Sequence, residues 1–344
     1  MKTEGSQNNK LDIYERLSQN PAIYIRIEPF FVAGIKKLII TKYGTLKKFN
    51  KEVLKINYPN VKHDFRLAKY HSFIRWISII DSFGINREEL YKNTKGFRIN
   101  GSHGRNIVMI PRILEIDEKF TEGYALYIAE GDTGLSGKKI PRKLRFTNSN
   151  LDVIKFFINW LKWYFPKNYF YINIILPESF MQKDIPKNIV RKLGVKTKQI
   201  KIKKEYYNKI IKYKICCDSA IIIDLVLSLD GYIKNLCKRN KLFAVGYIKG
   251  IMAGEGTVYF NRSRYVRIEM KNEIEIKYVY SLLKILKYKC NLSLRKERLN
   301  MWSIFIGAKQ LEKFYKEIGF GSQLNRQNIL KLAVNKKLRV NQYI

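Results

Sequence analysis

Two stretches of this chain are built alike: Gly123-Tyr124-Ala125-Leu126-Tyr127-Ile128-Ala129-Glu130-Gly131 and Ile248-Lys249-Gly250-Ile251-Met252-Ala253-Gly254-Glu255-Gly256. Each is an apolar helical stretch with small residues four apart, closed by an acid and then a glycine. A carboxylate in the last turn of a helix faces the negative end of the helix dipole. Glycine directly after it reads as a helix stop, which leaves both acids at that unfavourable end. One such acid carries little meaning. Two of them, 125 residues apart on matched helices, point to a site that needs negative charge to hold a cation, and to a fold in which one unit appears twice.

The residues after each acid repeat in kind. Beyond Glu130, residues 143–147 alternate charged and apolar side chains, as a strand with one solvated face does. Ser149 then reads as the cap of a helix carrying Val153, Phe156, Phe157, Trp160 and Leu161, which Pro166 ends. Further alternation at 169–175, 199–203 and 212–216 predicts strands, and 220–233 an apolar helix. Beyond Glu255, residues 265–271 alternate, and Asn272 with Glu275 forms a capping box for a helix carrying Ile276, Val279, Leu283 and Leu286. Strands at 292–295 and 302–306 precede a helix through Leu311, Phe314 and Ile318 that ends at Gly319. The unit is helix, two strands, helix, two strands, helix.

The region before the repeats reads differently. Residues 1–12 are a polar tail. From Asn20-Pro21, a cap with proline at the first helical position, the chain reads as a run of helices. Thr45 caps a helix with Leu46, Phe49, Val53 and Leu54 on one face, and Tyr58-Pro59-Asn60 breaks the run before a basic segment with Lys62, His63, Arg66 and Lys69. A further helix carries Phe73, Trp76, Ile77 and Ile80 and stops at Gly84. Short packed helices with a basic one exposed match a helix-turn-helix module. Gly101-Ser102-His103-Gly104 and Pro111 mark a linker. The expected organisation is a tail at 1–12, a small all-α domain and linker at 13–115, and two repeats at 116–236 and 237–344.

A formal net charge of +37 over 344 residues, with a sequence pI near 9.9, repels itself unless a polyanion neutralises it. Nucleic acid fits that need. A membrane does not, for the chain has no apolar run of the about 18 residues that span a bilayer, and residues 1–10 show no signal-peptide pattern. The expected location is cytoplasmic. Cys216, Cys217, Cys237 and Cys290 form no CxxC or Cys/His cluster, so they read as small buried apolar residues and not zinc ligands. Three histidines, His63, His71 and His103, leave little for a histidine-ligated metal.

Ala125 and Ala129 on one segment, and Gly246, Gly250 and Gly254 on the other, place small residues on a single stripe. Such stripes let two helices approach closer than the usual ~8–10 Å. Packed in parallel, they bring Glu130 and Glu255 out side by side, where two carboxylates resist double ionisation unless a divalent cation joins them. Oxygen-only ligation favours Mg2+, with Mn2+ as its substitute, and a hard cation among phosphates activates water for in-line phosphodiester displacement.

The two segments resemble the paired motifs of the LAGLIDADG homing endonucleases, in the single-chain, two-motif form, over roughly residues 116–340. The second motif, Gly250 to Gly256, is the better match; the first has Ala125 for glycine and tyrosines at 124 and 127. The resemblance implies an α+β fold, a pseudo-twofold duplicated αββαββα domain with saddle-shaped antiparallel sheets that lie along the DNA major groove. It implies metal binding by Glu130 and Glu255 with help from the carbonyls of Ala129 and Gly254, and a basic or glutamine residue near the metals, for which Lys271 and Lys309 are candidates. It implies readout by Lys143, Arg145 and Thr147 from one sheet and Tyr265, Arg267 and Lys271 from the other, since arginine commonly pairs with guanine edges there. Lys201, Lys203, Lys212 and Lys214 would meet phosphates, which position without specifying; Lys62, Arg66 and Lys69 would add basic contacts from the N-terminal domain.

With the resemblance, these features imply a site-specific double-strand DNA endonuclease of intron or intein mobility, expected to act as a monomer with internal pseudo-twofold symmetry. The alternative is the same scaffold without chemistry, as a DNA-binding regulator or as a maturase for intron splicing with structured RNA as partner. A basic structural protein explains the charge but not the twin acids.

Overall fold

The computed structural model describes residues 9–65, 70–99, 107–132, 143–181, 185, 187–206, 209–261, 263–298 and 300–335. The chain divides into two compact units: residues 1–114 with 164–168 and 219–222, and residues 115–163 with 169–218 and 223–344.

In the first unit the elements are β1 (Lys10–Asp12), α1 (Ile13–Ser18), β2 (Ile23–Ile27), α2 (Pro29–Tyr43), α3 (Leu46–Phe49), α4 (Tyr58–Phe65), β3 (His71–Ser72), α5 (Phe73–Ser82), α6 (Arg87–Lys92), β4 (Thr94–Ile99) and β5 (Ile113–Glu115). Thr45 Oγ1 accepts from the Lys48 amide at 3.1 Å, and the helix it caps continues as a π turn over Asn50–Leu54. The core holds Phe73, Trp76 and Ile80 of α5 against Ile25 and Phe97. The expectation of helices alone fails here, because β2 pairs antiparallel with both β3 and β4. Ile23, Ile25 and Ile27 alternate inward with period two, and β-branched residues favour that pleated surface. Asn20 Oδ1 accepts from the Ala22 amide at 3.0 Å, so Asn20-Pro21 opens a turn into a strand where the sequence pattern predicted a helix start.

In the second unit follow α7 (Glu118–Glu130), β6 (Gly131–Asp132), β7 (Leu144–Asn148), α8 (Leu151–Tyr164), β8 (Tyr171–Pro177), α9 (Ile189–Leu193), β9 (Ile200–Glu205), β10 (Lys212–Cys217), α10 (Ala220–Ser228) and α11 (Asp230–Arg239). Then come α12 (Lys241–Glu255), β11 (Gly256–Phe260), β12 (Arg264–Met270), α13 (Glu273–Ile285), β13 (Cys290–Arg295), β14 (Met301–Gly307), α14 (Leu311–Glu317) and α15 (Leu324–Asn335). The fold is α+β with the unit duplicated: one sheet runs β6-β7-β10-β8 and the other β11-β12-β14-β13, the same strand order. Both are antiparallel through these four strands. The first sheet departs by one strand, since β9 adds to its edge parallel to β8.

Each sheet buries one face. In the first, Phe146 stacks on Phe157 at 4.2 Å, Phe157 on Trp160 at 5.3 Å, and the Trp160 indole donates to the Phe120 carbonyl at 3.1 Å. In the second, Val266, Ile268, Ile304 and Ile306 meet Ile276, Val279 and Leu283 of α13, all buried. The cap of α8 is Asn150, whose Oδ1 accepts from Asp152 and Val153, and Ser149 lies one residue outside it. Asn272 caps α13 through the Glu275 amide, but the Glu275 carboxylate turns inward to Tyr247 and Lys234, so the reciprocal arm of the capping box is absent. All four cysteines are free and buried. No described helix is long and apolar enough to cross a membrane.

Candidate functional site

The two motif helices are set by their caps and their small residues. Asp117 caps α7 through the Phe120 amide at 2.6 Å, and Asn240 caps α12 through the Leu242 amide at 2.9 Å. Along α12, Gly246 faces Glu118 and Thr121, Gly250 faces Glu122 and Ala125, and Gly254 faces Ala129 and Glu130. Both helices advance together, so they run parallel and end together. A β-carbon at Gly254 would lie 2.8 Å from that of Ala129 and 3.0 Å from the Glu130 Cγ. Ala125, Ala129, Gly246, Gly250 and Gly254 thus form one close contact, and Glu130 and Glu255 leave it side by side.

Both helices stop at the acids as expected, and the glycines that follow are not left-handed. Gly131 and Gly256 have φ of −76° and −77° and pass directly into β6 and β11. Any residue adopts that backbone; what excludes a side chain is crowding. A β-carbon at Gly131 would sit 2.3 Å from the Tyr127 carbonyl oxygen, and one at Gly256 2.7 Å from that of Met252.

Both glutamates are half-buried, and burial raises the pKa of each. Glu255 is pushed up to about 7, by burial first and by the neighbouring Glu130 second. A third group faces them: Arg326 of α15 lies close enough to pull both carboxylates back down, and its own pKa is lowered by burial. Its Nη1 donates to the Gly254 carbonyl at 3.0 Å and the Ala253 carbonyl at 3.3 Å. On the other side, Asn148 at the end of β7 donates to Glu130 Oε1 at 3.3 Å.

The sequence reading missed Arg326 and Asn148. Asn148 was within reach of it, because Gly131 pairs with Phe146 as Gly256 pairs with Ile268, which carries the strand end back to the acid. Arg326 lies 71 residues beyond Glu255 and has no local signature.

An oxygen donor set of two carboxylates with the Ala129 and Gly254 carbonyls suits a hard divalent cation. The described residues contain no cluster of three or more His, Cys, Asp or Glu that would hold a metal by side chains alone. Of the two basic candidates, Lys271 is exposed just beyond β12 on the Glu255 side, whereas Lys309 follows Gly307, which pairs with Tyr265 toward the far end of β11. Arg326 is a further basic group beside the two acids.

Register sorts the side chains of the first sheet by face, and the lysine-bearing face is only partly solvated, because Asn173, Ile175 and Cys216 on it are buried. Thr147 pairs with Lys214, Lys214 with Asn173 and Asn173 with Lys201, while Lys212 pairs with Ile175 and Ile175 with Lys203. Partners across a ladder share a face, so Arg145, Thr147, Lys201, Lys203, Lys212 and Lys214 line one side of the first sheet. Lys143 pairs with Asp218 at 2.9 Å, Arg145 approaches Asp132 at 3.5 Å, and Lys201 lies over the Tyr171 ring at 4.2 Å.

The corresponding face of the second sheet carries Tyr265, Arg267 and Glu269, but it is aromatic and internally paired. Tyr259 stacks on Tyr265 at 4.4 Å, and Tyr265 packs on Phe305 at 4.8 Å. The Arg267 side chain is only 13% exposed, laid over the Tyr259 ring at 4.5 Å, and Glu269 also holds Arg295 at 2.7 Å. Lys62 is exposed on α4 in the first unit; Arg66 and Lys69 lie outside the described residues.

The tyrosines that distinguish the first motif have structural partners. Tyr124 donates to Asp230 at 2.9 Å, Tyr127 packs on Phe157 at 6.0 Å, and Lys234 links Asp230 to Glu275 at 3.0 and 2.9 Å.

No family profile and no curated protein matches the chain. Among solved structures, it is similar to I-DmoI in complex with DNA and Mn, at 16% identity and a TM-score of 0.36, over 59% of this chain and 97% of that one. It is similar to the N-terminal LAGLIDADG domain of DUF199/WhiA at 14% identity and a TM-score of 0.36, over 60% and 86%. The homing endonuclease I-WcaI bound to its DNA recognition sequence matches at 12% identity and a TM-score of 0.37, over 61% and 86%. Each likeness is distant, and none extends over the whole chain.

Proposed function

We propose that this protein is a site-specific endonuclease of double-stranded DNA that uses a divalent metal ion, Mg2+ or Mn2+, and acts as a monomer with two non-identical halves. The observation that carries this reading is the parallel helix pair that delivers Glu130 and Glu255 together, between two sheets of the same strand order. Glu130, Glu255 and the carbonyls of Ala129 and Gly254 would hold the ion, which supplies an activated water and charge stabilisation for phosphodiester hydrolysis. Asn148 orients the Glu130 carboxylate. Lys201, Lys203, Lys212 and Lys214 hold the phosphates, with Arg145, Thr147 and Lys143 toward the base edges of one half-site. In the other half, Tyr265 and Lys271 take that role, joined by Arg267 once it leaves the Tyr259 ring and Glu269, and Lys62 adds charge from the first unit. Two halves that differ in side chains read a long, partly palindromic target.

One observation favours a second reading. The Arg326 guanidinium lies on the Gly254 carbonyl, among the atoms a metal would use. A scaffold that kept the fold and neutralised its acids internally would bind without cutting, as a DNA-binding regulator or as a maturase on structured RNA.

Selection of cleaved products from a random duplex library separates the two. With Mg2+ the enzyme enriches one long sequence cut in both strands, and with Ca2+ it retains duplex uncut. Tight duplex binding without cleavage in either ion contradicts the enzyme; preference for structured RNA over duplex favours the maturase.

A further inference from the structure

We propose that Arg326 is a resident counter-cation of the twin-glutamate site, and that its guanidinium competes with a divalent ion for the Gly254 carbonyl and for the negative field of the two carboxylates. The proposal rests on the reading of Glu130 and Glu255 as the metal-binding pair.

Arg326 meets three sources of negative potential at once. Its Nη1 bonds the carbonyls of Ala253 and Gly254, in the last turn of α12, where the helix dipole is negative. Both carboxylates act on it electrostatically. Charge-assisted bonds of this kind are stronger than neutral ones. The guanidinium thus does for the glutamates what a metal would do: it offsets the repulsion of two acids at two negative helix ends.

The helix that delivers Arg326 is anchored on several sides. Gln323, just before α15, accepts from Asn150 Nδ2 at 2.5 Å. Gln327 Oε1 accepts from the Phe320 amide at 2.8 Å, and Arg264 Nη1 donates to the Ala333 carbonyl at 3.0 Å. Gly321, with φ of +50°, lies against the buried Glu122 carboxyl, which in turn accepts from the Ser322 backbone. Arg326 is therefore held at the site by the fold.

An ion taking the Gly254 carbonyl and both carboxylates would stand against the guanidinium, and two cations in a partly desolvated site repel strongly. One must leave. A displaced Arg326 side chain needs another anion, and a DNA phosphodiester is an anion the proposed substrate brings. Metal loading and DNA binding are then positively coupled, and the same coupling acts in both directions.

The test uses the full chain without DNA. Mn2+ is titrated by calorimetry into the wild type, Arg326→Gln, Arg326→Lys and Arg326→Gln/Glu255→Gln, with thermal melts confirming that each is folded. Arg326→Gln is expected to bind Mn2+ about tenfold more tightly than the wild type, since a charge-assisted contact no longer opposes the ion. Arg326→Lys is expected to stay near the wild type, and the added Glu255→Gln to abolish the gain. Equal or weaker Mn2+ binding by Arg326→Gln overturns the competition while leaving the metal site standing. No Mn2+ binding by any of the proteins overturns both. A measurement on the wild type alone guards against loss of folding: the Arg326 side-chain N–H resonance should shift with Mg2+ at the midpoint of metal binding. Its failure to move while the metal binds also overturns the proposal.

Discussion

Gly250 and Glu122 meet backbone to backbone: a β-carbon at position 250 would lie 2.1 Å from the Glu122 carbonyl oxygen. That approach is repeated at Gly246 against the Glu118 carbonyl oxygen, and with the side-chain contact of Gly254 on Ala129 and Glu130 it sets the separation of α7 and α12 and so the spacing of the two glutamates. The obstruction is backbone and cannot rotate away. Gly250→Val is expected to destabilise the protein by about 3 kcal/mol, the upper end of overpacking costs, and to lower the Tm by about 6–12 °C. Gly231→Ala is the control: nothing lies within 4 Å of its β-carbon position in α11, so it should stabilise by about 0.4–1 kcal/mol. Thermal melts of both variants check the pair. Equal effects would mean that the helices do not need this contact.

Stability should fall as pH rises through the range in which the buried acids ionise. An unfolded glutamate titrates near about 4.3, whereas Glu255 titrates at about 7 in the fold and Glu130 is also raised. Between those values the folded state binds more protons than the unfolded one, so stability decreases with pH across the window and the loss is complete above it. Glu122, also at about 7, contributes in the same direction. Glu255→Gln removes one of these groups, so its Tm relative to the wild type should rise between pH 5 and pH 8. A Tm difference that is flat or falls over that range contradicts the burial of Glu255 beside Glu130.

The lysines of β9 and β10 should carry salt-dependent affinity. Each phosphate contact contributes roughly 0.9 to the slope of log K against log salt. Replacing Lys201, Lys203, Lys212 and Lys214 together by alanine should lower that slope by about 3–4 for any duplex, without changing which site is preferred. Arg145→Ala should relax preference at one position instead, since base contacts specify where phosphate contacts only hold. Anisotropy titrations over a salt series separate the two. An unchanged slope in the lysine variant removes that face from the interface.

What could be read from the sequence was what periodicity and local chemistry report. The twin motifs, the alternating strands after each, and the glycine that ends α14 at φ +67° follow from patterns of a few residues. Interactions between distant segments were not readable. Ile23-Tyr24-Ile25-Arg26-Ile27 alternates as a strand, but Asn20-Pro21 before it mimics a helix start, and only pairing with β3 and β4 decides between them. The parallel addition of β9 depends on the connection through α9 and not on the strand's own residues. Gly131 and Gly256 end their helices as their sequence predicts, but the crowding by Tyr127 and Met252 that demands glycine there was not readable. Arg326 reaches the acids through tertiary packing alone.

Cleavage of a selected duplex by Glu130→Gln and Glu255→Gln, against the wild type with Mg2+, tests the central claim most directly. Glutamine keeps the shape and removes the charge, so each variant should bind the duplex as the wild type does and lose cutting of both strands. Undiminished cleavage by either variant, or loss of duplex binding together with cleavage, contradicts a metal-dependent site held by the two glutamates.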